Sequence, residues 1–267
     1  MGKSKTPVRF TGQHFTINNH LITDAIRLAD INSTDTVIDI GAGKGHLTIQ
    51  LAPICNKVIA IEKDRELARL LSNRFKDVQN VDVVNCDFRN FDFPGMPFKT
   101  VSNIPYAITS DILKYLMFQQ ANPFGGGTMV TQLEAAEKLF STELFNPYTI
   151  LYHSYFDMNL IRELSPDHFM PPPTVMSALV HIRKKQYPKV PHSVREKYLS
   201  FLFYFLRKPH MRTRTALKRL FRKRQVRDIV EKYGLNPNSG ITRLTPDEWA
   251  SCFRELLELV PEKYHPR

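Results

Sequence analysis

Val37-Ile38-Asp39-Ile40-Gly41-Ala42-Gly43-Lys44-Gly45 is a β-branched, apolar run that breaks into three alternate glycines before a helical stretch. Glycines at such a turn let the backbone take positive φ and come close to a ligand without a Cβ in the way. Their spacing narrows the ligand. A dinucleotide fold needs G-x-G-x-x-G, and here the third glycine of that pattern is absent, which argues against an NAD enzyme. The turn here is instead G-x-G-x-G, with the acidic Asp39 two positions ahead.

Working outward, short apolar runs alternate with helical stretches from Asp35 onward, which predicts βαβ units and a mostly parallel sheet. The expected strands cover residues 36–40, 57–62, 81–86, 99–102 and 128–133, with 150–164 and 177–183 as a later antiparallel pair. The fold class is therefore α/β, a Rossmann-like sheet. After Arg183 the pattern changes: two prolines and several charges precede a segment with helical periodicity alone. The expected domains are residues 1–183, catalytic, and residues 184–267, a small helical bundle. Its helices are expected at 193–206, 213–221, 225–233 and 246–259, with Ser193 and Thr245 as N-caps.

Charge divides along the same line. The net charge is +11, yet Arg183 to Tyr233 alone holds 17 Lys and Arg against 3 Asp and Glu, leaving 20 basic and 23 acidic residues elsewhere. A near-neutral catalytic part joined to a polyanion-binding part is the expected reading, and nucleic acid is favoured over a membrane surface. Ten Lys or Arg and no acid fall between Arg207 and Arg227. Arg207, Lys208, Arg212, Arg214, Lys218, Arg219, Arg222 and Lys223, continuing into Arg224 and Arg227, are the expected phosphate-tracking residues. No apolar run reaches the roughly 18 residues of a membrane span, and residues 1–10 lack the core of a secretory signal, so the cytoplasm is expected. Cys55, Cys86 and Cys252 are far apart, which predicts neither disulfides nor zinc, and no metal site is expected.

Two carboxylates follow the glycine turn in order. Glu62 ends the second strand about 20 residues on, where it can accept from ribose hydroxyls, and Asp87 ends the third, where it can accept from an adenine amine. Asn103-Ile104-Pro105-Tyr106 leaves the fourth strand. An exocyclic adenine amine is a poor nucleophile because its lone pair is delocalised. Accepting its hydrogens on the Asn103 side-chain oxygen and the Ile104 carbonyl would pyramidalise the nitrogen, while Pro105 fixes the turn and Tyr106 offers a stacking face.

Together with Phe10-Thr11-Gly12-Gln13-His14-Phe15-Thr16 and Phe169-Met170-Pro171-Pro172-Pro173-Thr174-Val175, these motifs resemble those of the rRNA adenine N6-methyltransferases over nearly the whole chain. The resemblance implies a class I methyltransferase that uses S-adenosyl-L-methionine. It implies that Gln13, His14 and Thr16 cover the methionine end of the cofactor above Gly41, and that Glu62 holds the ribose and Asp87 the adenine. Asn103 would touch both cofactor and target amine, Tyr106 would stack on the target base, and Phe169 would form a second aromatic wall. His14 stands where many members carry Asn. The opening segment, the Asn-Ile-Pro-Tyr loop and the short helical C-terminus look most like the Erm branch, implying a monomer that methylates one large-subunit (23S) rRNA adenine before full ribosome assembly and so gives macrolide, lincosamide and streptogramin B resistance. Alternatives are a small-subunit (16S) dimethyladenosine transferase, a DNA adenine methyltransferase, and a non-catalytic RNA-binding or ribosome-assembly factor.

Overall fold

Strands buried on both faces are the mark of a parallel sheet, and residues 36–40 and 58–62 are buried throughout. The computed structural model describes the backbone of residues 15–16 and all of 18–118 and 123–266. Its main sheet contains β2 (Thr36–Ile40), β3 (Lys57–Glu62), β4 (Val81–Asn85), β5 (Phe98–Asn103), β6 (Phe124–Gln132), β7 (Phe156–Leu164) and β9 (Ser177–Lys184), in the order β4-β3-β2-β5-β6-β9-β7. The pairs β2–β3, β3–β4, β2–β5 and β5–β6 are parallel. A separate ribbon joins β1 (Phe15–Thr16) to β8 (Phe169–Met170), antiparallel, with Thr16 opposite Phe169.

The chain winds outward from β2 to β4 and then jumps back across β2 to β5. Such a reversal leaves a crevice at the carboxyl ends of the two central strands. The hydrogen bonds show it opening. Backbone pairing between β2 and β5 involves only Val37 with Lys99 and Ile38 with Thr100. Farther along, the Ile40 amide donates to the Ser102 hydroxyl at 2.8 Å, and the Thr100 hydroxyl donates to the Ile38 carbonyl at 2.8 Å. Side-chain hydroxyls thus satisfy buried backbone groups as the strands part.

Helix α1 (Asn19–Leu28) starts at Asn18, whose side chain accepts from the Leu21 amide at 3.1 Å. It buries Leu21, Ile22 and Ala25 in a cluster with Val37, Val58, Val101 and Val130. Helix α2 (Thr48–Leu51) follows the glycine turn, and α3 (Arg65–Arg74) is capped by Asp64, which accepts from the Glu66 and Leu67 amides. Helix α4 (Thr109–Phe118) follows the Asn103–Tyr106 loop.

Two compact units emerge, 1–136 with 160–181, and 137–159 with 182–267. The expected border at 183 lies close to the third crossing, at 181/182, but the helical unit also takes 137–159, an excursion that no composition shift marks. This segment holds the end of α5 (Leu133–Phe140), all of α6 (Pro147–Tyr155) and the start of β7. Residues 150–155 were expected in a strand and are helical instead. Asn146 caps the helix by accepting from the Tyr148 amide, and Pro147 occupies the first turn, two start signals that outweigh the β-prone Tyr-Thr-Ile-Leu-Tyr run.

The second unit continues with α7 (Arg195–Leu206), α8 (Thr213–Leu217), α9 (Lys223–Lys232) and α10 (Pro246–Leu259). Its core is aromatic: Tyr198, Phe201, Phe205, Trp249 and Phe253 are fully buried, with the Phe201 ring 5.4 Å from Phe253 and 5.9 Å from Trp249. Thr245 and Glu248 form a capping box at α10, whereas Ser193 does not cap α7, which begins after Val194 with no side-chain cap. Among the described residues no helix is long and apolar enough to cross a membrane, and no group of His, Cys, Asp and Glu could hold a metal ion.

Candidate active site

The glycine turn takes up the geometry its composition foretold: Gly41, Gly43 and Gly45 have φ of 73°, 57° and 77°. The amides of Gly41 and Ala42 both donate to the Ile61 carbonyl, at 2.8 and 3.0 Å, which fastens the turn to the end of β3. A Cβ on Gly41 would lie 3.1 Å from Pro105, so the turn and the Asn103–Tyr106 loop abut directly. A Cβ on Gly45 would strike Phe75 at 2.7 Å, so that glycine admits the packing of α3 rather than a ligand. Asp39 is not at the crevice. It is fully buried, accepts from the Thr48 hydroxyl at 2.8 Å, and burial pushes its carboxyl up to about 7. Its part is to anchor the start of α2.

At the carboxyl ends of β2, β3 and β5 lies a cavity of about 580 Å³, whose lining includes Gly41, Glu62, Asp87, Asn103, Pro105 and Tyr106. That volume suits a nucleoside-sized ligand, since small-molecule sites span about 300–1,000 Å³. Glu62 is buried, with one carboxylate oxygen accepting from the Gly43 amide and the other from the Asp64 amide, both at 2.8 Å. Each oxygen keeps a second lone pair, so the carboxylate is held rigidly and can still accept from two hydroxyls. Asn85, opposite Glu62 in the register, donates its side-chain amide to the Glu62 carbonyl at 2.9 Å and keeps the two strand ends together.

Asp87 is more heavily engaged than its position at a strand end suggests. It accepts from the amide and Nε of Arg89 on one oxygen, and from Arg89 Nη2 at 2.7 Å and Lys63 Nζ at 2.8 Å on the other. The Arg89 guanidinium, followed by Lys63, holds its carboxyl far below the usual carboxylate range. Sequence reasoning missed both partners, although their places directly after Glu62 and two residues after Asp87 were a usable signal.

Asn103 ends β5 opposite Val130 of β6, and the next amide, Ile104, donates to the Val130 carbonyl at 3.0 Å. Tyr106 is half-buried, and its hydroxyl meets the Ser177 hydroxyl at 2.5 Å, which sets the plane of the ring. Burial raises the Tyr106 phenol above its ordinary value, so it stays neutral.

Phe169, expected as an aromatic wall, does not line this cavity. The ring is 1% exposed, within the cluster that holds Leu21, Ile22 and Val101, while the backbone pairs with β1. A phenyl ring gains more from full burial than from standing half-solvated at a rim. Pro173, Thr174 and Val175 of the same loop line the cavity instead, as does Gln132 at the end of β6. His14 lies outside the described residues. Thr16 is described only as backbone, in the ribbon opposite Phe169.

In the second unit, Arg207, Lys208, Arg212, Arg214, Lys218, Arg222, Lys223, Arg224 and Arg227 are exposed, as the charge pattern suggested. Arg219 departs from them. Its guanidinium lies 4.2 Å from the centroid of the Tyr204 ring and donates to the Tyr204 carbonyl at 3.2 Å, so it helps hold α7 to the segment after α8.

A family model described as ribosomal RNA adenine dimethylase matches residues 6–258. An rRNA adenine N-6-methyltransferase of Bacteroides fragilis is 56% identical over 266 residues, 100% of each chain. A ribosomal RNA small subunit methyltransferase A of Clostridium botulinum is 30% identical, over 92% of this chain and 94% of its own. Among solved structures, the 23S rRNA methyltransferase ErmE superposes with a TM-score of 0.81 at 27% identity, over 91% of this chain and 99% of that one. The glycine turn, the carboxylates ending β3 and following β4, and the Asn103–Tyr106 loop around one crevice thus have their explanation in descent: the chain belongs to the ribosomal RNA adenine dimethylase family and is an S-adenosyl-L-methionine-dependent rRNA adenine N6-methyltransferase.

Proposed function

We propose that this chain methylates N6 of one adenine in 23S rRNA and so gives macrolide, lincosamide and streptogramin B resistance. The observation that carries the chemistry is the single cavity into which Glu62, Asp87, Asn103 and Tyr106 all open. The branch rests on degree of likeness: 56% identity along the full chain to the Bacteroides fragilis enzyme, against 30% to the small-subunit enzyme. The ErmE likeness supports the same choice of RNA.

These residues would hold S-adenosyl-L-methionine, which would supply an electrophilic methyl group. Glu62 is the ribose acceptor. Asp87 is the acceptor for the cofactor's adenine amine, and its lone pairs are already shared among Arg89 and Lys63, so adenine binding exchanges one donor for another. Lys63, at 71% side-chain exposure, leaves at the least cost. The target adenine enters extruded from its RNA, stacks on Tyr106, and gives its amine hydrogens to Asn103 and the Ile104 carbonyl. No strong base is needed, because the nitrogen's proton becomes acidic once methylated, and catalysis is positioning and dipole orientation.

Methylation of separated 23S rRNA, 16S rRNA and DNA, with mass spectrometry of the nucleosides, tests this. N6-methylated adenosine in 23S rRNA alone is the expected result; label in 16S rRNA alone would transfer the chain to the small-subunit reading.

Tyr106→Ala should weaken capture of the target base, raising the RNA KM about tenfold, within the roughly 1–3 kcal/mol of a stacked base. Tyr106→Phe keeps the ring and loses only the Ser177 tether, so its KM should stay within about threefold of wild type. Equal impairment of the two variants in steady-state methylation would remove stacking from the role of Tyr106.

A further inference from the structure

Two phenyl rings on the second unit have no part in the site above. Phe145 is 50% exposed and Phe203 is 40% exposed, in a unit that also exposes Tyr187 and Tyr264 but buries the large rings of Tyr198, Phe201 and Trp249. Single exposed apolar residues are ordinary. Each of these two has another ring beside it. The Phe145 centroid is 6.3 Å from that of His210, and the Phe203 ring meets Tyr148 edge to face at 5.7 Å and 86°.

The backbone draws them into one neighbourhood. Phe145 and Tyr148 flank Asn146, the cap of α6. The Leu144 amide donates to the Thr242 carbonyl at 2.8 Å, and the Ile241 amide donates to the Met211 carbonyl at 2.9 Å. The strip bearing Phe145 therefore runs beside the strip bearing His210, Met211 and Arg212. Phe203 stands one helical turn before Arg207, whose amide donates to the Phe203 carbonyl at 3.1 Å. Arg207, Lys208 and Arg212 are exposed around these rings, within the run that has no acid from 207 to 227. The nearby Glu143 is paired with Arg243 at 2.8 Å, so its charge is offset.

Exposed rings beside exposed cations, with the one nearby carboxylate already paired, suit unpaired nucleotides: a face for each base and a positive charge for each phosphate. We propose that the helical unit carries its own binding surface for single-stranded RNA, in which Phe145 and Phe203 stack on unpaired bases and Arg207, Lys208 and Arg212 hold the phosphates. The proposal rests on the reading of the substrate as RNA and deepens it, giving the enzyme a hold on unpaired nucleotides apart from the methylated adenine. A protein partner or a second copy of the chain would demand acidic or apolar groups to match; RNA matches both the charge and the rings.

The full chain is titrated with a short fluorescein-labelled oligouridylate, which contains no adenine, so the outcome does not depend on which RNA the crevice methylates. Phe145→Ala with Phe203→Ala should weaken binding about tenfold or more and leave the salt dependence unchanged, since no charge is lost. Phe145→Tyr with Phe203→Tyr should restore it. Arg207→Gln, Lys208→Gln and Arg212→Gln together should lower the log–log salt slope by roughly 2, at about 0.7 per contact for a single strand. S-adenosyl-L-methionine affinity and circular dichroism, unchanged in every variant, show that the fold is intact. Undiminished oligouridylate binding by the double Ala variant, failure of the Tyr pair to restore it, or loss of self-association in place of RNA binding would each overturn the proposal.

Discussion

Asn103→Ala slows single-turnover methylation by roughly 100- to 1,000-fold, the usual effect of deleting one oriented polar partner at a reacting centre, while RNA affinity stays within about twofold. The size follows from where the side chain sits. Asn103 is the last residue of β5, in register with Val130, and the following amide is fixed to the Val130 carbonyl. Pro105 then packs tightly against the glycine turn, where a Cβ on Gly41 would lie only 3.1 Å from its ring. The acceptor is therefore placed before substrate arrives and pays no reorganisation as the amine pyramidalises. A hydrogen bond that strengthens only along the reaction coordinate is lost from the chemical step, not from binding. Rapid-quench measurement on an rRNA hairpin with saturating cofactor decides it, and a wild-type rate would remove Asn103 from the reaction.

The second large effect is expected at Glu62. Glu62→Ala should cut S-adenosyl-L-methionine affinity about 100-fold, because one change removes the ribose acceptor and releases the Gly43 and Asp64 amides that it holds at 2.8 Å. A hydrogen bond to a charged group is worth about 1.5–3 kcal/mol, and leaving a buried amide unsatisfied adds to the loss. Glu62→Gln separates the two contributions. It retains one oxygen but turns an NH2 toward one of the two amide donors, so its affinity should fall between those of wild type and Glu62→Ala. Calorimetry reads the affinities and thermal unfolding reports the state of the turn. Unaltered cofactor binding in both variants would refute the assignment.

Where a function is carried by backbone and local order, the sequence by itself was enough. The parallel α/β sheet, the glycine turn with its positive φ values, and Glu62, Asp87 and Asn103 at or just past strand ends all follow from short-range signals: apolar runs, glycine spacing, and polar residues that close those runs. Tertiary structure alone decided what depends on distant neighbours. Phe169 sits in a motif that promises an aromatic wall, yet its ring lies in the core around Leu21, Ile22 and Val101 and its backbone pairs with Thr16, partners far from it in sequence. Arg219 belongs by charge to the basic run, but Tyr204 takes its guanidinium. Residues 137–159 read as part of the first domain until their burial partners, Tyr198 among them, place them in the second unit. The same kind of contact, invisible to periodicity, sets Phe145 beside His210 and Phe203 against Tyr148 while both stay part-exposed. Local propensity states what a residue can do; which side chain is buried, paired or left facing solvent is settled by competition among surfaces that meet only when the chain is folded.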